Sequence, residues 1–216
     1  MHSSTRLAGS LALAALLALP FGSSVRAAKD KTTETGSGAA VGQKAPDFSL
    51  KDTEGNTHTL HEYLQAGKTV VVHWFNPKCP FIVRHFETYP TFTTLYSNFH
   101  DKNVVFLAIN STGPSNPAFG TDAESKKKWS IPYPILLDPT GTVGKSYGAK
   151  TTPHSFVISS DGIIRYSGAI DNDPKDEKPV NQKLNYVRQA LDEILAGKSV
   201  SVSETRPYGC SVHYGN

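Results

Sequence analysis

Cysteine, methionine and long apolar runs are all scarce in this chain. Only Cys79 and Cys210 occur in 216 residues, which excludes a disulfide-dense scaffold and a zinc site made of cysteine alone. Met1 is the sole methionine. Lys and Arg total 22 against 19 acids and lie scattered, so no basic stripe argues for nucleic acid. No Gly-rich phosphate loop, Ser-His-Asp set or regularly spaced metal motif is present. What the chain does have is 38% hydrophobic and 10% aromatic residues. That is enough for one sizeable core, and it excludes wholesale disorder, collagen and coiled coil. The length suits one domain with an appendage.

The N-terminus reads as an address. Arg6 precedes an uncharged stretch from Leu7 to Leu19, Pro20 and Gly22 break it, and Val25-Arg26-Ala27 supplies small residues for cleavage. At ~1.5 Å per residue the stretch reaches roughly 20 Å, short of a ~30 Å bilayer core. Residues 1–27 are therefore expected to be a cleaved secretory signal. No membrane span is expected after cleavage. No cysteine follows the run, so lipoprotein processing is not expected. Losing Arg6 and Arg26 removes most of the formal charge of +3, leaving little field to steer DNA or anionic lipid. An exported, periplasmic or extracellular location is oxidising, and there two cysteines are chemically interesting. Residues 28–40 read as a flexible leader, 41–198 as the domain and 199–216 as a tail carrying Cys210.

Periodicity orders the domain. Phe48 and Leu50 alternate with polar neighbours, and Asp52 to Asn56 turns the chain toward Thr57–Leu60 as a hairpin. A helical turn over His61–Gly67 follows. Thr69 to Phe75 is β-branched and aromatic, as in a strand buried on both faces. A helix is expected from Pro80 to about Phe99, kinked at Pro90. Asn103–Asn110 is a second buried strand, 111–121 a loop, and Asp122 caps a short helix to about Trp129. Tyr133–Leu137 is a strand, and Thr142–Tyr147 a turn closed by Gly148. Ser155–Ile158 and Ile163–Tyr166 flank the hairpin signal Asp161-Gly162. Val180–Leu195 is amphipathic, with Leu184, Val187, Leu191, Ile194 and Leu195 on one face and Gly197 as its stop. Strands alternating with helices, then a hairpin and a last helix, indicate an α/β three-layer sandwich with a mixed sheet.

The chemistry concentrates at Cys79. This residue follows a buried strand and caps the next helix, with Pro80 at the first helical position. Free N–H groups and the positive end of the helix dipole favour thiolate over thiol there, and thiolate is the nucleophile. Lys78 adds positive charge. A buried inert cysteine is the bland alternative, but flanking Pro77 and Pro80 at an element boundary count against it. Thr152-Pro153 precedes the strand at Ser155, and sequence physics alone favours a trans turn there. A cis bond would free the Thr152 backbone to pair with an extended substrate.

Trp74-Phe75-Asn76-Pro77-Lys78-Cys79-Pro80-Phe81, Tyr147-Gly148-Ala149-Lys150-Thr151-Thr152-Pro153-His154 and Ser160-Asp161-Gly162 resemble the thioredoxin fold. The segment from Val41 to Leu50 resembles the redoxin branch, which includes peroxiredoxin-like and TlpA-like extracytoplasmic proteins. Gly168-Ala169-Ile170-Asp171 and Arg206-Pro207-Tyr208-Gly209-Cys210-Ser211 resemble a peroxiredoxin-like subgroup of it. The resemblance runs from about Val41 to Tyr214. It implies a thioredoxin-like sandwich, a cis Thr152-Pro153 bond facing the active cysteine, and Cys79 as the attacking thiol. Two departures accompany it. Ile82 stands where thioredoxins carry their second cysteine. Asn76 and Val72 stand where peroxiredoxins carry Thr and Pro, and no arginine lies between Arg84 and Arg165 to bind peroxide.

The expected activity is an exported thiol–disulfide oxidoreductase, with catalytic Cys79 and Cys210 and a substrate site lined by Thr152, Pro153, Pro80 and Phe81. Cys210 has three readings: a thiol that resolves a mixed disulfide at Cys79, one half of a permanent staple, or a thiol that pairs between chains. Thiol peroxidase and a non-catalytic binding module are the rival activities. Expected partners are protein or small-molecule thiols and disulfides, peroxide in the rival reading, and a redox partner protein. No cofactor or metal is called for. His73, His85 and His154 read as ordinary polar or half-buried side chains, and tuning of the cysteine from across the cleft is the alternative reading of His154.

Overall fold

The computed structural model describes residues 39–215; the expected signal segment and nearly all of the leader lie outside them. The elements are β1 (Ser49–Asp52), β2 (Thr57–Thr59), α1 (Leu60–Gln65), β3 (Thr69–Trp74), α2 (Pro80–Val83), α3 (Thr91–Phe99), β4 (Val104–Asn110) and α4 (Asp122–Lys128). They continue with β5 (Ile135–Leu137), α5 (Thr142–Tyr147), β6 (Thr151–Thr152), β7 (Ser155–Ile158), β8 (Ile164–Gly168), α6 (Tyr186–Leu195) and β9 (Cys210–Ser211). Seven strands form one mixed sheet in the order β2-β1-β5-β4-β3-β7-β8, while β6 and β9 pair separately. The expected sandwich is present.

Strand β3 is central because its sequence suits burial on both sides, and all six of its residues are buried. It runs parallel to β4, with Val71 opposite Phe106, and antiparallel to β7, with Val72 opposite Phe156. Alternation sends Val70, Val72 and Trp74 toward Leu60 of α1 and Tyr147 of α5. Val71 and Phe75 point the other way, into a core with Ile82, Phe92, Leu95, Phe99, Val187 and Leu191. Helices α2, α3 and α6 thus cover one face and α1 and α5 the other. The β7–β8 hairpin turns at Gly162, whose φ of +82° suits glycine. Among the described residues no helix is long and apolar enough to cross a membrane.

Three expected helices differ in detail. The one starting at Pro80 is broken, not kinked. Helix α2 passes into a π-helical turn over Arg84–Thr88, and Tyr89 is extended at φ −127° and ψ 120°, because the residue before a proline is driven out of the helical region. The helix begun at Val180 is a 3₁₀ turn over Val180–Gln182, with α6 starting only at Tyr186. Asn172 explains the gap: its N–H donates to the Leu184 carbonyl at 3.1 Å, and its Oδ1 accepts from the Leu184 N–H at 2.9 Å. Leu184 is therefore exposed, not on the apolar face, and Asn185 caps α6 by accepting from the Arg188 N–H. Thr121, not Asp122, is the N-cap of α4. The Asp122 carboxylate is turned inward to accept from Asn110 Nδ2 at 2.7 Å.

Candidate active site

The end of β3 delivers Cys79. Asn76 shapes the connection: its carbonyl accepts from the Cys79 N–H at 3.0 Å and its Oδ1 from the Lys78 N–H at 2.9 Å. Its Nδ2 donates to Thr112 Oγ1 at 3.3 Å, tying the turn to the end of β4. Cys79 is the N-cap of α2, with φ −76° and ψ 121°, and Pro80 follows at the first helical position. Its side chain does not cap the helix. Sγ instead donates to the Thr152 carbonyl at 3.0 Å, which only a protonated thiol can do. The residue is buried, at 3% exposure. It still lies at the helix start and against the residue before Pro153.

The Thr152-Pro153 bond is cis, as the resemblance implied and as local sequence physics did not. The backbone edge of Thr152 is occupied. The C-terminal tail lies on it as β9, with Cys210 opposite Thr152 and Ser211 opposite Thr151. Val212 N–H extends the pairing to the Lys150 carbonyl at 3.1 Å. The approach is close: a Cβ on Gly209, at φ +144°, would stand 2.2 Å from the Thr152 carbonyl oxygen. Glycine is required there for want of space.

Both cysteines are free thiols. The Cys210 sulfur sits beside that of Cys79 and the Phe81 N–H; burial, helped by the Cys79 sulfur, pushes its thiol up to about 12, while the Phe81 N–H opposes the shift. Cys210 is therefore held protonated next to Cys79. The structure thus gathers Cys79, Cys210, Thr152, Pro153 and Phe81, with Pro80 exposed at the rim. Phe81 is covered by the tail, its ring centroid 5.8 Å from that of Tyr208.

From the sequence, Tyr208 had no role beyond its place in the resembling segment Arg206–Ser211. Its hydroxyl donates to Asp171 Oδ1 at 2.5 Å and accepts from Arg84 Nη2 at 3.3 Å. His85 Nε2 lies 3.2 Å away, and its Nδ1 lies 3.1 Å from Thr91 Oγ1. With the phenol proton on Asp171, the network assigns Nε2–H as a second donor to Tyr208. No sequence signal pointed here: β9 begins only at Cys210, and Gly209 between the two residues is at φ +144°, so strand alternation does not reach Tyr208.

The three histidines do not converge. His73 is stacked on Phe92 at 4.0 Å with Nε2 against the Tyr133 hydroxyl at 3.2 Å. His154, whose alternative reading was tuning of Cys79, has Nδ1 accepting from the Lys150 N–H at 3.3 Å and Nε2 at 3.3 Å from Ser167 Oγ. Both of its ring nitrogens are taken up away from the sulfur. Among the described residues no cluster of His, Cys, Asp or Glu could hold a metal ion. Burial lowers His73 to about 3, and His85 and His154 to about 4. Unfolding releases each to its ordinary value near 6.5, so the unfolded chain binds more protons between pH 6.5 and 4 and stability falls as pH falls through that window. The expected loss is on the order of 1 kcal/mol per histidine per pH unit. Urea unfolding at pH 7 and pH 5 checks it; equal stability at the two values would rule the buried neutral histidines out.

The model of the AhpC/TSA family matches residues 41–167. The thiol-disulfide oxidoreductase ResA of Geobacillus thermodenitrificans is 29% identical over 126 residues, 58% of this chain and 67% of that protein. The chain thus spans about two thirds of that relative's length. Peroxiredoxin Bcp of Bacillus subtilis is 27% identical over 159 residues, 71% of this chain and 94% of the relative. Among solved structures, a hypothetical protein from Sinorhizobium meliloti 1021 superposes with a TM-score of 0.67 at 28% identity, covering 83% of this chain and 97% of its own.

Proposed function

The chain belongs to the AhpC/TSA family and is a thiol-dependent oxidoreductase; on that premise we propose that it exchanges disulfides through Cys79 and Cys210. One observation carries this reading: two free thiols lie side by side at the start of α2, against the Thr152 carbonyl. In the reducing direction Cys79 loses its proton and attacks one sulfur of a substrate disulfide R–S–S–R′. A Cys79–S–R mixed disulfide forms and R′S⁻ leaves, taking up a proton. Cys210 then loses its proton and attacks the Cys79 sulfur, forming the Cys79–Cys210 bond and expelling RS⁻, which is protonated in turn. Two thiols of the protein are oxidised and one substrate disulfide is reduced. Bonding Cys79 to substrate removes the smaller of the two contributions that raise the Cys210 thiol, burial being the larger. Thr152, Pro153, Pro80 and Phe81 line the place where the substrate sulfur enters. The sequence of residues 1–27 supports export, so this chemistry belongs to a compartment outside the cytoplasm.

The site favours disulfide over peroxide as the oxidant. Asn76 is engaged with Lys78 and Thr112. The Arg84 guanidinium donates to the carbonyls of Asp173 and Pro174 and to Tyr208, not toward the Cys79 sulfur. Neither side chain is placed to polarise an O–O bond or take its leaving oxygen. Reduced protein mixed with glutathione disulfide, or with hydrogen peroxide, tests this. Exchange should depend on both cysteines, and peroxide should oxidise Cys79 no faster than an ordinary exposed thiolate. Rapid sulfenic acid formation at Cys79 with slow disulfide exchange would replace this reading with the peroxidase.

A further inference from the structure

Strands β6 and β9 are two residues long each, and so short a ladder does not persist alone in water. Something else must keep Cys210 beside Cys79. Downstream, the Tyr214 hydroxyl donates to the Ala149 carbonyl at 2.6 Å. Upstream, Tyr208 is held by three side chains from two separate parts of the chain. Arg84 and His85 come from the π-helical turn after α2, and Asp171 comes from the segment after β8. The phenol is saturated, donating once and accepting twice. The ring packs on Phe81, the same residue whose N–H faces the Cys210 sulfur. The Arg84 guanidinium lies over both rings, 5.5 Å from the Phe81 centroid and 5.7 Å from that of Tyr208.

We propose that Tyr208 is a positioning residue for the resolving step: its hydroxyl, fixed by Asp171, Arg84 and His85, docks the tail on the Thr152 edge and thereby sets the Cys210 sulfur against Cys79. This rests on the reading of Cys79 and Cys210 as a redox pair and adds what makes the pair work. A disulfide forms only within a narrow Cβ separation of about 3.5–4.5 Å. A resolving cysteine on a freely moving tail would be present at only millimolar effective concentration, whereas a docked strand presents it continuously. Gly209 allows the approach because it has no Cβ to meet the Thr152 carbonyl. Burial and the Asp171 carboxylate both push the Tyr208 phenol up, so it remains a donor to Asp171 throughout the working pH range. The same docking covers the edge that an extended polypeptide would pair with. Tail and polypeptide substrate therefore compete for Thr151 and Thr152, and Tyr208 sets how strongly the tail competes.

The test compares the full chain with Tyr208→Phe, which keeps the ring on Phe81 and removes only the hydroxyl, and with Asp171→Asn, which leaves Tyr208 in place but weakens its acceptor. Glutathione redox buffers give the effective concentration of the Cys79–Cys210 pair. Stopped-flow mixing with glutathione disulfide separates attack on Cys79 from resolution by Cys210. Both variants should lower the effective concentration about tenfold or more, equivalent to a potential ~30 mV less negative, and slow resolution so that the Cys79–glutathione adduct accumulates. The loss should fall on the second step and not the first, a split that general loosening of the fold would not produce. A Tyr208→Phe protein with the wild-type effective concentration and resolution rate overturns the positioning role while leaving the redox pair intact. A wild-type protein that stops at the glutathione adduct overturns the pair itself and this role with it.

Discussion

Replacing Cys79 by serine lowers disulfide exchange by at least about 10³-fold, to the rate without protein. Serine isolates the nucleophile because it preserves everything else. Its hydroxyl can donate to the Thr152 carbonyl as Sγ does at 3.0 Å, and serine is a favoured N-cap ahead of Pro80. Thermal unfolding should therefore show a folded protein, and the lost rate reports the sulfur alone. Cys210→Ser gives a different failure. The first attack survives, and Cys79 accumulates as a mixed disulfide that nothing in the chain can displace. Substrate turnover by Cys79→Ser at a rate comparable to wild type would show that the reaction occurs elsewhere.

Oxidation of the pair should stabilise the fold by up to about 5 kcal/mol, the chain-entropy value for a bond closing a loop of roughly 130 residues. The native state already has the required arrangement. Cys210 lies opposite Thr152 in the β6–β9 ladder, the Cys79 sulfur lies on the Thr152 carbonyl, and the two sulfurs are neighbours. Little rearrangement is needed to join them, so the entropy removed from the unfolded chain is not offset by strain. Urea unfolding of oxidised protein against reduced protein measures the difference. Cys210→Ser should match the reduced form whatever the buffer. A gain this large makes the pair harder to reduce by the same free energy, since stability and reduction potential are linked. An oxidised form no more stable than the reduced one would show that closing the bond distorts the site.

The sheet was legible because burial on both faces leaves an unmistakable record in β3 and β4, and Asp161-Gly162 marks its own hairpin. Cys79 was legible for a local reason as well. A strand end, a cap and Pro80 fall within a few residues, and each restricts the next. Where long-range partners decide the conformation, local reading went astray. Leu184 has the helical spacing of α6, but Asn172 claims its N–H and carbonyl. The cis bond before Pro153 was accessible only through resemblance, because the local preference is trans. The tail was least legible. A two-residue strand has no periodicity, and the site that docks Tyr208 is assembled from Arg84, His85 and Asp171, which no spacing rule brings together.

The pairing of Cys79 with Cys210 is tested most directly by equilibrating reduced full-length protein with excess glutathione disulfide, alkylating the remaining thiols and mapping the peptides by mass spectrometry. Expected is a single-chain product that has lost two hydrogens, takes up no alkylating agent and yields one cross-linked peptide joining residues 79 and 210. Glutathione retained on Cys79 with Cys210 alkylated, or a cross-link found only between chains, would contradict it.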